Sequence, residues 1–98
     1  MRLKSGLIVK EVEGEYLLLD SGIEPPIFNG LIKLNETGRY IIDLLKEKDM
    51  SKEELFLALK DKYELSEEDF NKGVIPFLEK LKATNILRWI INLRLSTL

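Results

Sequence analysis

The rhythm of apolar and polar residues changes once along this chain, near residue 35. Before that point the apolar residues come in short runs: Leu7-Ile8-Val9 with Val12, Tyr16-Leu17-Leu18-Leu19, and Ile27-Phe28 followed by Leu31, Ile32 and Leu34. Short runs rich in β-branched and aromatic residues predict strands. Glu13-Gly14 is a tight-turn signal between the first two runs, so residues 7–12 and 15–19 are expected to form a hairpin. Asp20-Ser21-Gly22 closes the second strand, and Pro25-Pro26 holds the next connection extended. Ile27 to Leu34 is then the third strand, with Asn29-Gly30 read as a bulge or bend rather than a turn.

From residue 35 the spacing becomes helical. Asn35 is a good N-cap, Glu36 suits the positive end of a helix, and Ile41, Leu44 and Leu45 form the apolar stripe. Lys46 and Lys48 suit its negative end. Ser51-Lys52-Glu53-Glu54 is a capping box opening a second helix, whose stripe is Leu55, Leu59 and Tyr63 with Phe56 alongside. Ser66-Glu67-Glu68-Asp69 resembles a further N-terminal cap, and Phe70, Val74, Phe77, Leu78 and Leu81 follow at helical spacing. Asn85 is a C-terminal stop signal.

Gly73 and Pro76 disturb the third helix. A proline inside a helix removes a hydrogen bond and clashes with the preceding turn, at about 3 kcal/mol. Either the helix kinks near Lys72, or it stops at Gly73 and restarts with Pro76 in a first turn, where proline is tolerated. The tail from Ile86 to Leu98 is apolar. Ile91, Leu93 and Leu95 alternate with Asn92, Arg94 and Ser96, which is strand periodicity. Pairing of this tail, as a further strand on its own sheet, along that sheet's open edge or in a homodimer, ranks ahead of an amphipathic helix docked on a partner.

The pattern therefore predicts an α+β fold: a three-stranded antiparallel sheet followed by three helices, in a winged helix-turn-helix layout, with an apolar C-terminal tail. Residues 1–88 read as one domain and residues 89–98 as an extension. A chain of 98 residues is one domain in length, and 45% apolar with 33% charged residues is a globular rather than a disordered balance. The chain has no histidine and no cysteine. That removes disulfides, zinc bound through those residues and every His-based triad. The acidic clusters Glu53-Glu54 and Glu67-Glu68-Asp69 are explained by helix N-termini without a metal. No catalytic residues, metal or cofactor are expected. The net charge of −2 gives no basic surplus for nucleic acid. No apolar run is long enough to span a membrane, and no signal peptide is evident, so a cytoplasmic protein is expected.

Three segments carry a more specific resemblance: FNGLIKLNETG at residues 28–38, KEELFLALKDKYELS at 52–66, and FLEKLKATNIL at 77–87. Together they resemble the PqqD-like family, also called RiPP recognition elements, over roughly residues 7–88. The FNGLIKLNETG form is most similar to stand-alone members that serve lasso-peptide and related pathways. The resemblance implies a non-catalytic domain that binds the leader segment of a ribosomally made precursor peptide. The leader would add as an antiparallel strand beside the third strand, against the third helix. Its other partner would be a maturation enzyme: a radical SAM enzyme, a cyclase or a leader peptidase.

Carried over by position, the binding edge is Gly30, Leu31, Ile32, Lys33 and Leu34. The groove wall is Lys72, Ile75, Leu78, Glu79 and Lys82, with Lys33, Lys72 and Lys82 attracting acidic leader residues. Leu34 is also expected in the core, and Gly38 is expected to allow close packing of helix and sheet. Family members often carry Asp where this chain has Gly73, and Pro76 is unusual in that helix. The alternative from another class is a DNA-binding winged-helix regulator. The acidic opening of the third helix, Glu67-Glu68-Asp69, opposes it, because it would meet phosphate with negative charge.

Overall fold

In a computed structural model, residues 1–20 and 31–88 are described. Strands β1 (Arg2–Leu3), β2 (Leu7–Val12), β3 (Glu15–Asp20) and β4 (Leu31–Leu34) precede helices α1 (Glu36–Glu47) and α2 (Lys52–Tyr63). The third helix begins as α3 (Glu67–Asp69), widens into a π-helical turn at Phe70–Val74 and continues as α4 (Ile75–Ala83). Strand β5 (Leu87–Arg88) follows. The fold is thus α+β, a three-stranded antiparallel sheet followed by three helices, with a strand pair that closes the C-terminal end.

The sheet has the order β2-β3-β4. Its hairpin turns through Glu13 and Gly14, both at positive φ (51° and 83°), as a two-residue turn matched to strand twist requires. Register places Val9, Leu18 and Ile32 side by side, and Glu11, Tyr16 and Leu34 in the next row. Leu18 and Leu34 on this face are buried, and they enter the same core as Ile41, Ile42, Leu45, Leu55, Leu59 and Leu78. The Arg39 guanidinium lies 4.9 Å from the Tyr16 ring centroid, which ties α1 to this face of the sheet.

The caps form as their residues predict. Asn35 Oδ1 accepts the Gly38 N–H at 2.7 Å. Ser51 Oγ accepts the Glu54 N–H at 3.0 Å, and Glu54 Oε1 accepts the Ser51 N–H at 2.8 Å. Ser66 Oγ accepts the Asp69 N–H at 3.0 Å. At the far end of α4, Asn85 takes a positive φ of 67°. Its N–H donates to the Lys82 carbonyl, and the Ile86 N–H to the Leu81 carbonyl. This Schellman pair closes the helix and brings Ile86 over Leu81, both fully buried.

Of the two courses expected at Gly73 and Pro76, a stop at Gly73 does not occur. Backbone at Val74 and Ile75 stays in the right-handed helical region, so the helix does not stop. Instead the Ile75 N–H reaches back five residues to the Phe70 carbonyl. A widened turn of this kind lies just ahead of the proline, whose ring would press on the Lys72 carbonyl in a regular helix. Pro76 then occupies the first turn of α4.

A strand near the C-terminal end was among the expectations; its partner at the chain start was not. Strand β1 pairs antiparallel with β5, Arg2 opposite Arg88 and Leu3 opposite Leu87. The Lys4 N–H donates to the Ile86 carbonyl at 3.0 Å, and Lys4 Nζ to Asn85 Oδ1 at 2.6 Å. The Met1 ammonium donates to the Met50 carbonyl and to Asp49 Oδ1, which holds the Asp49 carboxyl below its usual range. The chain start is thereby clasped to the α1–α2 junction and to the end of the third helix. The tail residues Ile91, Leu93 and Leu95, and the expected bend at Asn29-Gly30, lie outside the described residues.

Candidate functional site

Strand β4 is bonded to β3 on one side, and among the described residues no strand pairs with its other side. Among the described residues that side is thus an open edge of backbone N–H and C=O groups. Its side chains alternate. Leu34 is buried and Ile32 is half-buried against the core, while Leu31 is 53% exposed on the outer face, in a row with Ile8 and Leu19. Leu34 is thus a core residue that anchors the strand, as its position before the cap implies. Gly30 lies outside the described residues.

Beyond Leu34 the edge runs into a cleft of about 250 Å³. One wall is the start of α1, with Asn35, Thr37 and Gly38. The other is the third helix, with Asp69, Gly73 and Phe77 spaced four apart along one face. The two walls touch at Gly38. A Cβ built there would stand 3.1 Å from Asn35 Oδ1, 3.4 Å from Phe77 Cζ and 3.6 Å from Leu34 Cδ2. Glycine here lets the sheet end, the cap and the third helix converge, as expected for Gly38. At Gly73 the opposite holds: an added Cβ meets nothing within 4 Å.

The third-helix residues expected to form a groove wall divide. Leu78 is fully buried in the core, so it holds the helix in place and offers no surface to a ligand. The apolar stripe of the helix runs through it, and burial of that stripe fixes the helix rotation. Lys72, Glu79 and Lys82 are exposed, and Ile75 is half-buried against the core. The face turned to the end of β4 carries Asp69, Gly73 and Phe77 instead. The sequence reading did not place Asp69 or Phe77 there. The available signal was their four-residue spacing through Gly73.

The electrostatic expectation also changes. Lys33 Nζ is 3.3 Å from Glu15 Oε2, and Lys72 Nζ is 2.8 Å from Glu68 Oε2. Two of the three lysines expected to draw an acidic peptide are thus already paired on the surface. Among the described residues no group of Asp and Glu side chains is placed to hold a metal ion, and no helix is long and apolar enough to cross a membrane.

A small α+β domain whose open strand edge leads into a side-chain-sized cleft has the form of a peptide-recognition module. The chain belongs to the PqqD family: the family model described as coenzyme PQQ synthesis protein D (PqqD) matches residues 8–87. No curated protein and no solved structure matches the chain. Membership points to a peptide-binding accessory protein, without a catalytic role of its own, in a pathway that modifies ribosomally made peptides.

Proposed function

We propose that this protein holds the leader segment of a ribosomally made precursor as an added antiparallel strand on β4, and presents it in the cytoplasm to a maturation enzyme. That enzyme is a radical SAM enzyme, a cyclase or a leader peptidase. The observation that carries the reading is the open edge of Leu31–Leu34, in a chain whose family is one of peptide-binding partners. Main-chain bonds along the edge supply affinity that tolerates many sequences, and the neighbouring side-chain cleft supplies selectivity. The anchoring of β4 favours this role. Leu34 is buried and Asn35 caps α1, so the edge is held rigid before a peptide arrives.

The direct test is fluorescence polarisation with a labelled leader, taken from a short peptide gene adjoining the one for this chain. Saturable binding is expected. Absence of binding up to ~100 µM protein, weaker than about −5.5 kcal/mol, rejects the reading. A second measurement localises the contact. Neighbouring backbone groups alternate between β3 and the open side, so of Ile32 and Lys33 one N–H points outward. Proline at that residue removes a bond to the peptide with little loss of thermal stability, and proline at the other unfolds the strand. Equal losses at both positions would place β4 inside a larger sheet.

A further inference from the structure

Beside the open edge, the cleft differs in chemistry from the rest of the binding surface. Its floor is apolar, formed by Ile41, Val74 and Phe77. At about 250 Å³ it is smaller than the ~300–1,000 Å³ typical of pockets for small-molecule ligands, and is of a size for one amino-acid side chain. Among its lining residues only Asp69 is charged.

Asp69 occupies the third residue of its helix, the position Glu54 holds in α2. Glu54 returns its carboxylate to the backbone of its capping serine at 2.8 Å, which closes the box. At Asp69 only the forward bond is made: its N–H donates to Ser66 Oγ. Its carboxylate has no hydrogen bond or ion pair among the described residues. Aspartate is one methylene shorter than the glutamate that closes a capping box, so its carboxylate stays exposed at the rim of the cleft. Glu68, one residue earlier, is taken up by Lys72. The cleft is thus an apolar slot with one acid among its lining residues, and an ionised carboxylate can only accept hydrogen bonds.

We infer that this cleft is an anchor site for one arginine or lysine side chain of the bound peptide. The aliphatic stem lies along Phe77 and Val74, over the bare helix backbone at Gly73, and the cationic head reaches Asp69. Long basic side chains bury their stems while keeping the charge at the rim. Charge-assisted bonds are the stronger class of hydrogen bond. The inference rests on peptide addition to β4 and specifies the selectivity of that site. It also fixes where the anchor falls. An antiparallel strand on Leu31–Leu34 has its N-terminal part beside Leu34 and Asn35, so the basic residue precedes the segment that pairs.

Gly73 gives a clean handle. It lies within a helix, and a Cβ there meets no neighbour. Gly73→Leu therefore fills the cleft without crowding the core, and leucine is the better helix former. The probe is a displayed library of random dodecapeptides selected on the full chain. Selected peptides are then measured by fluorescence polarisation against the parent, Gly73→Leu and Asp69→Asn, with thermal melts of all three. Enrichment of Arg or Lys at one fixed position, upstream of an extended apolar segment, is expected. Gly73→Leu and Asp69→Asn should each weaken these peptides about 10-fold or more, with melting temperatures unchanged or raised, and added salt should weaken parent binding but not Asp69→Asn binding. Enrichment of a fixed aromatic or aliphatic residue, indifferent to Asp69→Asn, overturns the cationic anchor while leaving peptide addition intact. Full affinity in Gly73→Leu overturns the cleft as the anchor site. Failure to enrich any peptide removes strand addition itself, and the anchor with it.

Discussion

Helix α2 and the third helix both open on a serine and both bury a leucine-rich stripe, yet they are built differently. In α2 the capping box is reciprocal, the twelve residues are regularly helical, and Glu64 ends it at a positive φ of 55°. The third helix makes one half of its box, widens at Phe70–Val74 and carries a glycine and a proline in its middle. The two meet through Phe56 and Phe70, whose rings pack edge to face with centroids 5.1 Å apart. The regular helix turns its buried side to the core and its other side to solvent. In the irregular one, Asp69 and Gly73, two of the residues that break the pattern, line the cleft. Local departures from good helix chemistry thus coincide with the surface assigned to peptide selection, as expected where function competes with regularity.

The contrast can be broken at the core first. Leu59→Ala in α2 and Leu78→Ala in α4 each remove a fully buried side chain, and each should cost about 2–5 kcal/mol in urea unfolding. A much smaller loss at Leu78 would show that the third helix packs loosely as well as irregularly. Proline should separate the helices more sharply. Ala58→Pro inside α2 should cost about 3 kcal/mol or more. Pro76→Ala should change stability by less than about 1 kcal/mol, because the widened turn already accommodates the ring. Equal effects would mean that the π turn stores strain on the proline's account.

The two glycines on facing walls of the cleft should respond with opposite sign. Gly38→Ala forces a carbon to 3.1 Å from the oxygen that caps α1, and should cost about 1 kcal/mol through that cap. Gly73→Ala should raise stability by roughly 0.5–1 kcal/mol. Differential scanning calorimetry on the pair reads both signs. The smallest difference is at the caps. Glu54→Ala removes the bond its carboxylate accepts from the Ser51 N–H, at about 1 kcal/mol. Asp69→Ala should cost less, because its carboxylate accepts no such bond. Equal costs would indicate that Asp69 closes its box in solution, which would also remove the free carboxylate from the cleft.

Much of this fold is local chemistry and could be read residue by residue. Asn35, Ser51 and Ser66 cap because each side chain needs only a backbone N–H three residues ahead. Glu13-Gly14 turns the hairpin, and Asn85 stops α4, because the conformation lies within the residue itself. Strand β4 at Leu31–Leu34 belongs to the same class, since a short alternating strand before a cap needs no distant information. The groove wall was harder. Its five residues follow from position alone, on a helix whose rotation depends on which stripe is buried, and Leu78 belongs to that stripe.

The pairing of β1 with β5 joins two-residue segments from opposite ends of the described chain, too short to show any periodicity. No spacing rule can bring Arg2 opposite Arg88; only closure of the core between them does. The cleft is likewise a property of two elements at once. Gly38 is crowded and Gly73 open for reasons that lie in the other wall. The sequence by itself determined the order of sheet and helices, the helix caps, and the apolar stripes that enter the core. Tertiary structure alone decided which helix face meets that edge, which lysines are already paired, and that Asp69 borders an apolar slot, because each depends on packing between residues far apart in the chain.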